Sequence, residues 1–298
     1  MKIDFDKEQL LSALEREFGT GGVELGDIPV GCSWPVFSAR IPKVGKVFVK
    51  IGLKRQISRI YSFLKSAGPC RLLPVPVSSG PLALGDHFVA CLSWQTGERI
   101  DAERMSEAQA DGFIRGCVEL SECLQKAGDV VKLSEAEESP GKIADIFEMY
   151  RSRHRFVRGA MNGLASIVPM VRNLGGFRIG VIHGDFQPRN YGFDGDEMSA
   201  VFDFDDLTES LPCADAAYAF VERARRQELS AADRHRLMAN FRIAMKGAPW
   251  SRDEWQTAIS FYRLRIAARR LVKHMRSPLV ALDVWRRDRL LDAFSAEI

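Results

Sequence analysis

The pattern of apolar residues changes once along the chain, near Trp94, and this change constrains the fold more than any other feature. Before Trp94, short apolar runs alternate with glycine and proline, which is typical of β-strands joined by turns. After Trp94, most apolar residues recur at helical spacing. A chain of 298 residues is also longer than a usual single domain. We therefore expect an α+β fold with two lobes, an N-terminal one over residues 1–94 and a helical one over 95–298.

The predicted elements follow from the same pattern. In the N-terminal lobe, helices are expected at 1–18 and 53–67, and strands at 28–30, 36–41, 46–51, 72–77 and 87–94. In the C-terminal lobe, helices are expected at 102–126, 140–174, 213–227, 230–246 and 252–296. The N-terminal lobe is thus predicted to be a sheet with helices beside it, separated from the helical lobe by the polar segment 95–98.

The composition excludes several classes of protein. A hydrophobic fraction of 46% with 27% charged residues is typical of a globular protein with a real core. The net charge of +3 is too small to indicate a nucleic-acid or membrane surface. The six cysteines form no C-x-x-C pair, so a structural zinc site is not expected. With no 18-residue apolar run and no signal peptide, the expected location is the cytoplasm.

One strand-like segment, residues 180–206, interrupts the helical part of the chain. Its Asp194-Gly195 pair is typical of a hairpin turn, so residues 191–193 are predicted to face 200–202 across that turn. Such a hairpin brings Asp203 back beside the loop 183–190. The alternative is an ordinary turn with solvated carboxylates, but Asp203 lies between two phenylalanines, where an unpaired charge is costly.

The polar residues of this segment suit phosphoryl transfer. Asp185, Asn190 and Asp203 offer the hard oxygen atoms that Mg²⁺ prefers. Phosphoryl transfer needs such an ion to offset the charge of the phosphates, and a carboxylate to accept the proton of the attacking hydroxyl. The segment therefore contains the residue types for both tasks.

The order and spacing of these residues resemble the aminoglycoside phosphotransferase and choline kinase superfamily, which has a protein-kinase-like fold. The resemblance is carried by His183-Gly184-Asp185, Asn190 and Asp203-Phe204-Asp205. It implies that Asp185 is the catalytic base and that Asn190 and Asp203 hold Mg²⁺. It also implies structural roles for His183 in the loop and for Asp215 in a helix that braces the loop. The expected reaction moves the γ-phosphoryl group of ATP or GTP to the hydroxyl of a small molecule.

Other residues resemble the family's nucleotide site. Lys50 lies in an apolar strand, where the family has a lysine that binds phosphates; the alternative is an edge-strand lysine that prevents aggregation. Gly31 and Ser33 stand where a loop covers the phosphates, or else form a plain hairpin turn. Three residues match the family's hinge between the lobes, whose backbone pairs with the nucleobase: Ser93, Trp94 and Gln95.

The chain departs from the family pattern beside Lys50. Family members pair this lysine with a glutamate on the following helix, but residues 51–85 contain no Asp or Glu. Gln187 and Arg189 also stand where histidine and glycine are more usual. A catalytically impaired nucleotide-binding or scaffold protein of the same fold is therefore the alternative hypothesis. A kinase that acts on proteins is less favoured, because only a short segment follows Asp203 before the next predicted helix.

The acceptor is expected to be neutral or anionic. Residues 251–298 contain ten Arg or Lys against six Asp or Glu, which disfavours a polycationic acceptor. The alternative is that these basic residues lie on solvated helix faces. Candidate acceptor contacts are Arg189, Asp205 and Asp206.

Overall fold

The computed structural model describes residues 5–26, 35–128, 140–153, 165–174, 176–224 and 229–273. Several predictions fall outside these ranges: the strand at 28–30, the nucleotide-loop residues Gly31 and Ser33, and the last part of the predicted C-terminal helix, 274–296. Within the described residues, no helix is both long and apolar enough to span a bilayer.

The N-terminal part is built on one antiparallel sheet. Its five strands run in the order β1-β2-β3-β5-β4. Their bounds are β1 Glu24–Leu25, β2 Val36–Ile41, β3 Gly45–Gly52, β4 Leu82–Leu84 and β5 His87–Ser93. Lys50 pairs with Val36 on one side and Ala90 on the other. Because β3 is a central strand, the edge-strand interpretation of Lys50 is wrong.

One helix packs on each face of this sheet. Helix α1, Lys7–Phe18, is capped at its N-terminus by Asp6, whose side chain accepts a hydrogen bond from the Glu8 amide. At its C-terminus the helix is capped by Gly19, which has the left-handed conformation. Its Leu10 and Leu14 pack against the alternate β3 residues that face this side. Helix α2, Lys54–Ala67, packs on the other face. Lys50 alternates with the α1-facing residues of β3 and so faces the α2 side.

The predicted strand at 72–77 is wrong. The segment forms turns and a single isolated bridge between Pro76 and Leu92. Pro74 and Pro76 lack the amide hydrogen that a strand ladder requires, which explains the failure. Strand β4 lies at Leu82–Leu84, where no strand was predicted.

The larger part of the chain is mostly helical, as predicted. Its helices are α3 Glu107–Gly128, α4 Pro140–Arg153, α5 Val168–Arg172, α6 Ala214–Ala224, α7 Ala231–Gly247 and α8 Arg252–Lys273. Helix α3 begins five residues after the predicted start because Ser106 and Gln109 form a capping box, with bonds of 3.1 Å and 3.0 Å. Every residue of α6 is buried, so this short helix lies at the centre of the core.

Two short β-pairs stand among these helices. Strands β7, Tyr191–Asp194, and β8, Glu197–Val201, form the predicted hairpin, with Tyr191 opposite Val201. Strand β6, Gly180–Ile182, pairs with β9, Thr208–Ser210, which sequence analysis did not predict. The linker after β5 packs closely on the hairpin, since a Cβ atom at Gly97 would lie 2.8 Å from the Gly192 backbone. The hairpin is therefore held against the segment that joins the two parts.

Candidate active site

The loop between β6 and β7 is held in place by a buried carboxylate. Asp215, in the first turn of α6, accepts hydrogen bonds from the backbone amides of His183 at 2.7 Å and Gly184 at 3.0 Å. Burial raises the pKa of Asp215, while these bonds and the charge of His183 oppose the shift. The His183 ring bonds to the Phe202 carbonyl at 2.7 Å, which joins the loop to the end of β8.

Gly184 is required for the shape of this loop. Its φ is +82°, in the region that favours glycine, and an added Cβ atom would lie 2.1 Å from the Asp206 carbonyl oxygen. The loop thus packs directly against the turn that follows β8. The chain of contacts brings the residues 183–190 next to Asp203 and its neighbours.

The Asp185 carboxylate is surrounded by hydrogen-bond donors. Gln187 Nε2 lies 2.8 Å from Oδ1 and 2.7 Å from Oδ2. Asn190 Nδ2 and Arg189 Nη2 reach Oδ2 at 3.1 Å and 3.3 Å. Tyr218 Oη, from α6, donates to Oδ1 at 3.2 Å. These donors set the orientation of the carboxylate within the loop.

Sequence analysis did not predict the role of Tyr218, although a signal was present. Asp215 and Tyr218 are three residues apart on α6, so they lie on the same helix face. Once Asp215 is placed against the loop, Tyr218 faces it too. Arg265, which was also missed, comes from α8, is 2% exposed, and donates through Nη1 to the Gly184 carbonyl. Nothing in the sequence distinguishes Arg265 from the other basic residues of that helix.

Asp203 and Lys50 meet in an ion pair. Lys50 Nζ lies 2.7 Å from Asp203 Oδ1, although the two residues are 153 positions apart. Burial alone would lower the pKa of Lys50, but Asp205 and Asp203 raise it above its ordinary value. Burial likewise disfavours the charged form of Asp203, yet Lys50 lowers the pKa of this carboxyl. Both groups are therefore charged at neutral pH.

Asp203 has an uncommon backbone conformation. Its φ is 63° and its ψ is 69°, in the left-handed region that non-glycine residues rarely adopt. Backbone strain of this kind is concentrated at functional sites. The Asp203 side chain is 44% exposed, so one face of this carboxylate is open to solvent while Lys50 contacts its Oδ1.

A cleft lies beside this ion pair. It has apolar walls and a charged end formed by Lys50 and Asp203. The walls are contributed by Phe48, Ile60, Pro74, Leu92, Phe202 and Phe204, together with Ser93 and Gln95. Gln95 Oε1 is buried and has no hydrogen-bond partner among the described residues. Trp94 does not line the cleft; it is 37% exposed, with Lys46 Nζ 3.7 Å from its ring centroid.

The donor atoms near Asp203 fit a magnesium ion. Asn190 uses its amide nitrogen for both bonds to Asp185, at 2.7 Å and 3.1 Å. Its amide oxygen is therefore the atom left for a cation. The Asn190 amide oxygen and the Asp203 carboxylate are the hard oxygen donors that suit Mg²⁺. The same carboxylate contacts the ammonium of Lys50.

The three candidate acceptor contacts lie in different places. The Arg189 side chain is 61% exposed and lies beside Asp185, and Asp206 is exposed. Asp205 Oδ2 lies 2.7 Å from Lys50 Nζ, at the charged end of the cleft. The interpretation of Asp205 as an acceptor contact is therefore not supported by its position.

Comparison with known proteins agrees with this geometry. Residues 31–256 match a family model described as the phosphotransferase enzyme family, APH. A comparison with curated proteins finds no match. A protein from Ralstonia eutropha assigned to the aminoglycoside phosphotransferases has a solved structure that covers 99% of this chain and 98% of its own. The two chains are 18% identical, with a TM-score of 0.62.

Two further solved structures are similar. The macrolide 2′-phosphotransferase MphH from Brachybacterium faecium is 12% identical, covers 96% of each chain and has a TM-score of 0.61. The aminoglycoside phosphotransferase APH(3″)-Id from Streptomyces rimosus is 17% identical, covers 88% of this chain and 99% of its own, and has a TM-score of 0.54. Another structure of that enzyme contains ADP and streptomycin. At these identities the likeness shows the fold alone, which is the two-lobed protein-kinase-like α+β fold expected from the sequence. Because the family model covers most of the chain, the protein belongs to the APH phosphotransferase family, within the aminoglycoside phosphotransferase and choline kinase superfamily.

Proposed function

We propose that this protein is a small-molecule kinase that transfers the γ-phosphoryl group of a nucleoside triphosphate, with Mg²⁺, to a substrate hydroxyl. The observation that carries the proposal is the ion pair of Lys50 and Asp203, 2.7 Å long, at the charged end of an apolar cleft. Apolar walls suit a flat base, and an ammonium beside a carboxylate suits phosphates and their ion. The solved structures with bound nucleotide in the same fold support this interpretation.

Asp185 is the catalytic base in this proposal. Its carboxylate is held by Gln187, Asn190 and Tyr218, so its position relative to the loop is set before a substrate arrives. It accepts the proton of the acceptor hydroxyl as that oxygen attacks the γ-phosphorus, while the bond to the leaving diphosphate breaks. The transfer is direct, and no phosphorylated enzyme is formed.

The metal and nucleotide contacts follow from the same arrangement. Asn190 and Asp203 would hold Mg²⁺, which offsets the negative charge of the phosphates when it is bound. Lys50 binds the phosphates. The backbone of Ser93, Trp94 and Gln95, at the end of β5 and just after it, pairs with the base.

Gln95 favours ATP over GTP. Gln95 lines the cleft, and its buried Oε1 lacks a donor among the described residues. Adenine carries an amino group, a hydrogen-bond donor, where guanine carries a carbonyl oxygen, an acceptor. An unpaired acceptor in the cleft therefore pairs better with adenine than with guanine.

The acceptor is a neutral or anionic hydroxyl compound. Arg189 is an exposed charged side chain beside the base, with Nη2 3.3 Å from Asp185 Oδ2, and it favours a negatively charged group near the reacting hydroxyl. Asp206 remains a candidate contact to the acceptor.

Calorimetric titration of ATP, with and without Mg²⁺, tests the proposal. The comparison uses the wild type, Asp203→Ala, and Asp194→Ala at the exposed tip of the hairpin as a matched control. Binding that requires Mg²⁺ and is lost only in Asp203→Ala, followed by phosphate transfer to a sugar, amino alcohol or aminoglycoside in a screen, supports the kinase. Binding that is indifferent to both Mg²⁺ and Asp203, with no transfer, contradicts it.

A non-catalytic nucleotide-binding protein is the second candidate. The observation that favours it is the number of donors on Asp185, because Gln187 alone contacts both carboxylate oxygens at 2.7–2.8 Å. A carboxylate held in this way must give up one of these hydrogen bonds before it can accept a proton from the acceptor hydroxyl. Magnesium-dependent ATP binding without turnover on any acceptor would favour this candidate.

A further inference from the structure

The ammonium group of Lys50 has two carboxylate partners from one short turn. Lys50 is 6% exposed, and its Nζ lies 2.7 Å from both Asp203 Oδ1 and Asp205 Oδ2. A buried lysine needs an opposite charge, because an unpaired ammonium is costly to desolvate. Helix α2 and the residues after it provide none, since residues 51–85 contain no Asp or Glu.

The two carboxylates lie in different surroundings. The Asp203 side chain is the more exposed, at 44%, whereas that of Asp205 is 21% exposed. Asp205 lies within a 3-10 turn, Phe204–Asp206. In the proposed function Asp203 binds Mg²⁺. Once Asp203 is engaged by the ion, Asp205 is the carboxylate that remains in contact with Lys50.

Arg59 connects Asp205 to helix α2. Its Nη2 donates a hydrogen bond to the Asp205 backbone carbonyl. Burial lowers the pKa of Arg59, but the carboxylates of Asp205 and Asp206 lie close enough to oppose that shift. The same helix contacts the turn through Phe63, whose ring centroid is 5.4 Å from that of Phe204. Helix α2 is thus joined to the turn by one polar and one aromatic contact.

One further pair of groups lies within this arrangement. Arg59 Nε and Asp205 Oδ1 are both buried, and neither has a hydrogen-bond partner among the described residues. The first is a donor and the second an acceptor, so the two are complementary.

We propose that Asp205 positions Lys50 for the nucleotide and that Arg59 positions Asp205. The chain thereby replaces the lysine and helix glutamate of its relatives with a lysine on β3, an aspartate after β8 and an arginine on α2. The carboxylate that pairs with the lysine thus follows β8 and does not lie on helix α2. Lys50 is still connected to α2, through Asp205 and then Arg59. This inference rests on the proposed function, because it assigns Lys50 to the phosphates.

Titration of ATP into Asp205→Asn tests the first step. Loss of a hydrogen bond to a charged group predicts binding about ten-fold weaker or worse. Because Lys50 acts on the phosphates and not on the ion, the loss is expected at saturating Mg²⁺, with no change in the Mg²⁺ concentration that gives half-maximal ATP binding. A loss that higher Mg²⁺ concentrations reverse would identify Asp205 as a metal ligand and overturn the proposal. Asp194→Asn, the same substitution at the exposed hairpin tip, serves as the control.

A rescue experiment tests the role of Arg59. Arg59→Glu alone places a third carboxylate beside Asp205 and Asp206 and is expected to weaken ATP binding. Combined with Asp205→Asn, it restores a helix glutamate for Lys50, and binding should recover to within about three-fold of wild type. A folded double variant that binds no better than Asp205→Asn overturns the proposal. Arg55→Gln, on the exposed face of α2, is the control.

The outcomes separate this inference from the proposed function. If the wild type shows no magnesium-dependent ATP binding, or Asp203→Ala binds as well as wild type, the proposed function fails. If those results hold and Asp205→Asn binds ATP like wild type, only the present inference fails. Thermal unfolding of each variant establishes that it is folded. Should Asp205→Asn not fold, Arg59→Gln replaces it, with ATP binding about three-fold weaker expected and unchanged binding overturning the proposal.

Discussion

Tyr218 Oη donates a hydrogen bond of 3.2 Å to Asp185 Oδ1, while the Tyr218 ring stacks on Tyr262 with ring centroids 4.4 Å apart. The hydroxyl and the ring therefore have separate partners. The ring fixes α6 against α8, and the hydroxyl orients the proposed base. A substitution that removes only the hydroxyl tests the second contact without disturbing the first.

Tyr218→Phe is expected to lower kcat about ten-fold, with little change in KM for ATP. The physical reason is that one donor to the base is lost, while the nucleotide contacts are untouched. Steady-state kinetics with the acceptor found by screening, or slow ATP hydrolysis in its absence, measures the effect.

Tyr262→Phe is the matched control for this prediction. Tyr262 Oη is buried and has no hydrogen-bond partner among the described residues. Its removal keeps the ring stack and leaves both kcat and stability close to wild type. Equal losses in the two variants would mean that Tyr218 acts through packing and not through its hydroxyl.

Arg265→Met is expected to lower the free energy of unfolding by about 3 kcal/mol, because it leaves the Gly184 carbonyl without its donor and takes a positive charge away from Asp215. Urea denaturation measures this change. Arg252→Met, at the exposed start of the same helix, should change the free energy of unfolding by no more than about 0.5 kcal/mol. A stability of Arg265→Met equal to wild type would show that the loop does not depend on α8.

The parts of the fold that were predicted depend on local signals. The hairpin of β7 and β8 follows from Asp194-Gly195 and the flanking apolar residues. Tyr191 and Gly192 face Val201 and Ala200, as predicted, whereas a bulge places Phe193 opposite Met198. Helix α2 was placed within one residue. In both cases the neighbours that decide the structure lie within a few positions.

The parts that failed depend on distant partners. The pairing of β6 with β9 joins segments that are too short to show periodicity, and Thr208 and Ser210 carry no apolar pattern. The contact of Asp205 with Lys50 could not be derived from the sequence either, since nothing in it orients the second aspartate of the motif toward the strand. Arg265 was counted as one basic residue among ten, because the buried position of an arginine on a helix is decided by tertiary packing.

Gln95→Ala is expected to reduce the preference for ATP over GTP. Removing Oε1 takes away an acceptor for the adenine amino group, so ATP binding should weaken about five-fold, while GTP binding stays the same or improves. Competition titrations of the two nucleotides measure the ratio. Thr96→Ala, one residue along the same segment, is the control, and an unchanged ratio in Gln95→Ala would show that the side chain does not read the base.

Cys70 is expected to react with iodoacetamide at neutral pH. Hydrogen bonding with the Cys123 thiol lowers the pKa of the Cys70 thiol below its ordinary value. The thiolate is the reactive form, so the alkylation rate should reach half its maximum at a pH below the ordinary thiol pKa. Site-specific mass spectrometry measures this rate across about pH 5.5–9, a range that includes the ordinary thiol pKa of ~8.5. Cys70 is also partly exposed, so the reagent can reach it.

Cys123→Ala should move this midpoint upward toward the ordinary thiol value, because the donor that stabilises the thiolate is gone. The remaining described cysteines provide internal controls. Cys91, Cys117 and Cys213 are buried, and burial raises the pKa of each, to about 12 for Cys91. They should stay unmodified while the protein is folded. A Cys70 midpoint that is the same with and without Cys123 would show that the hydrogen bond does not control the thiol.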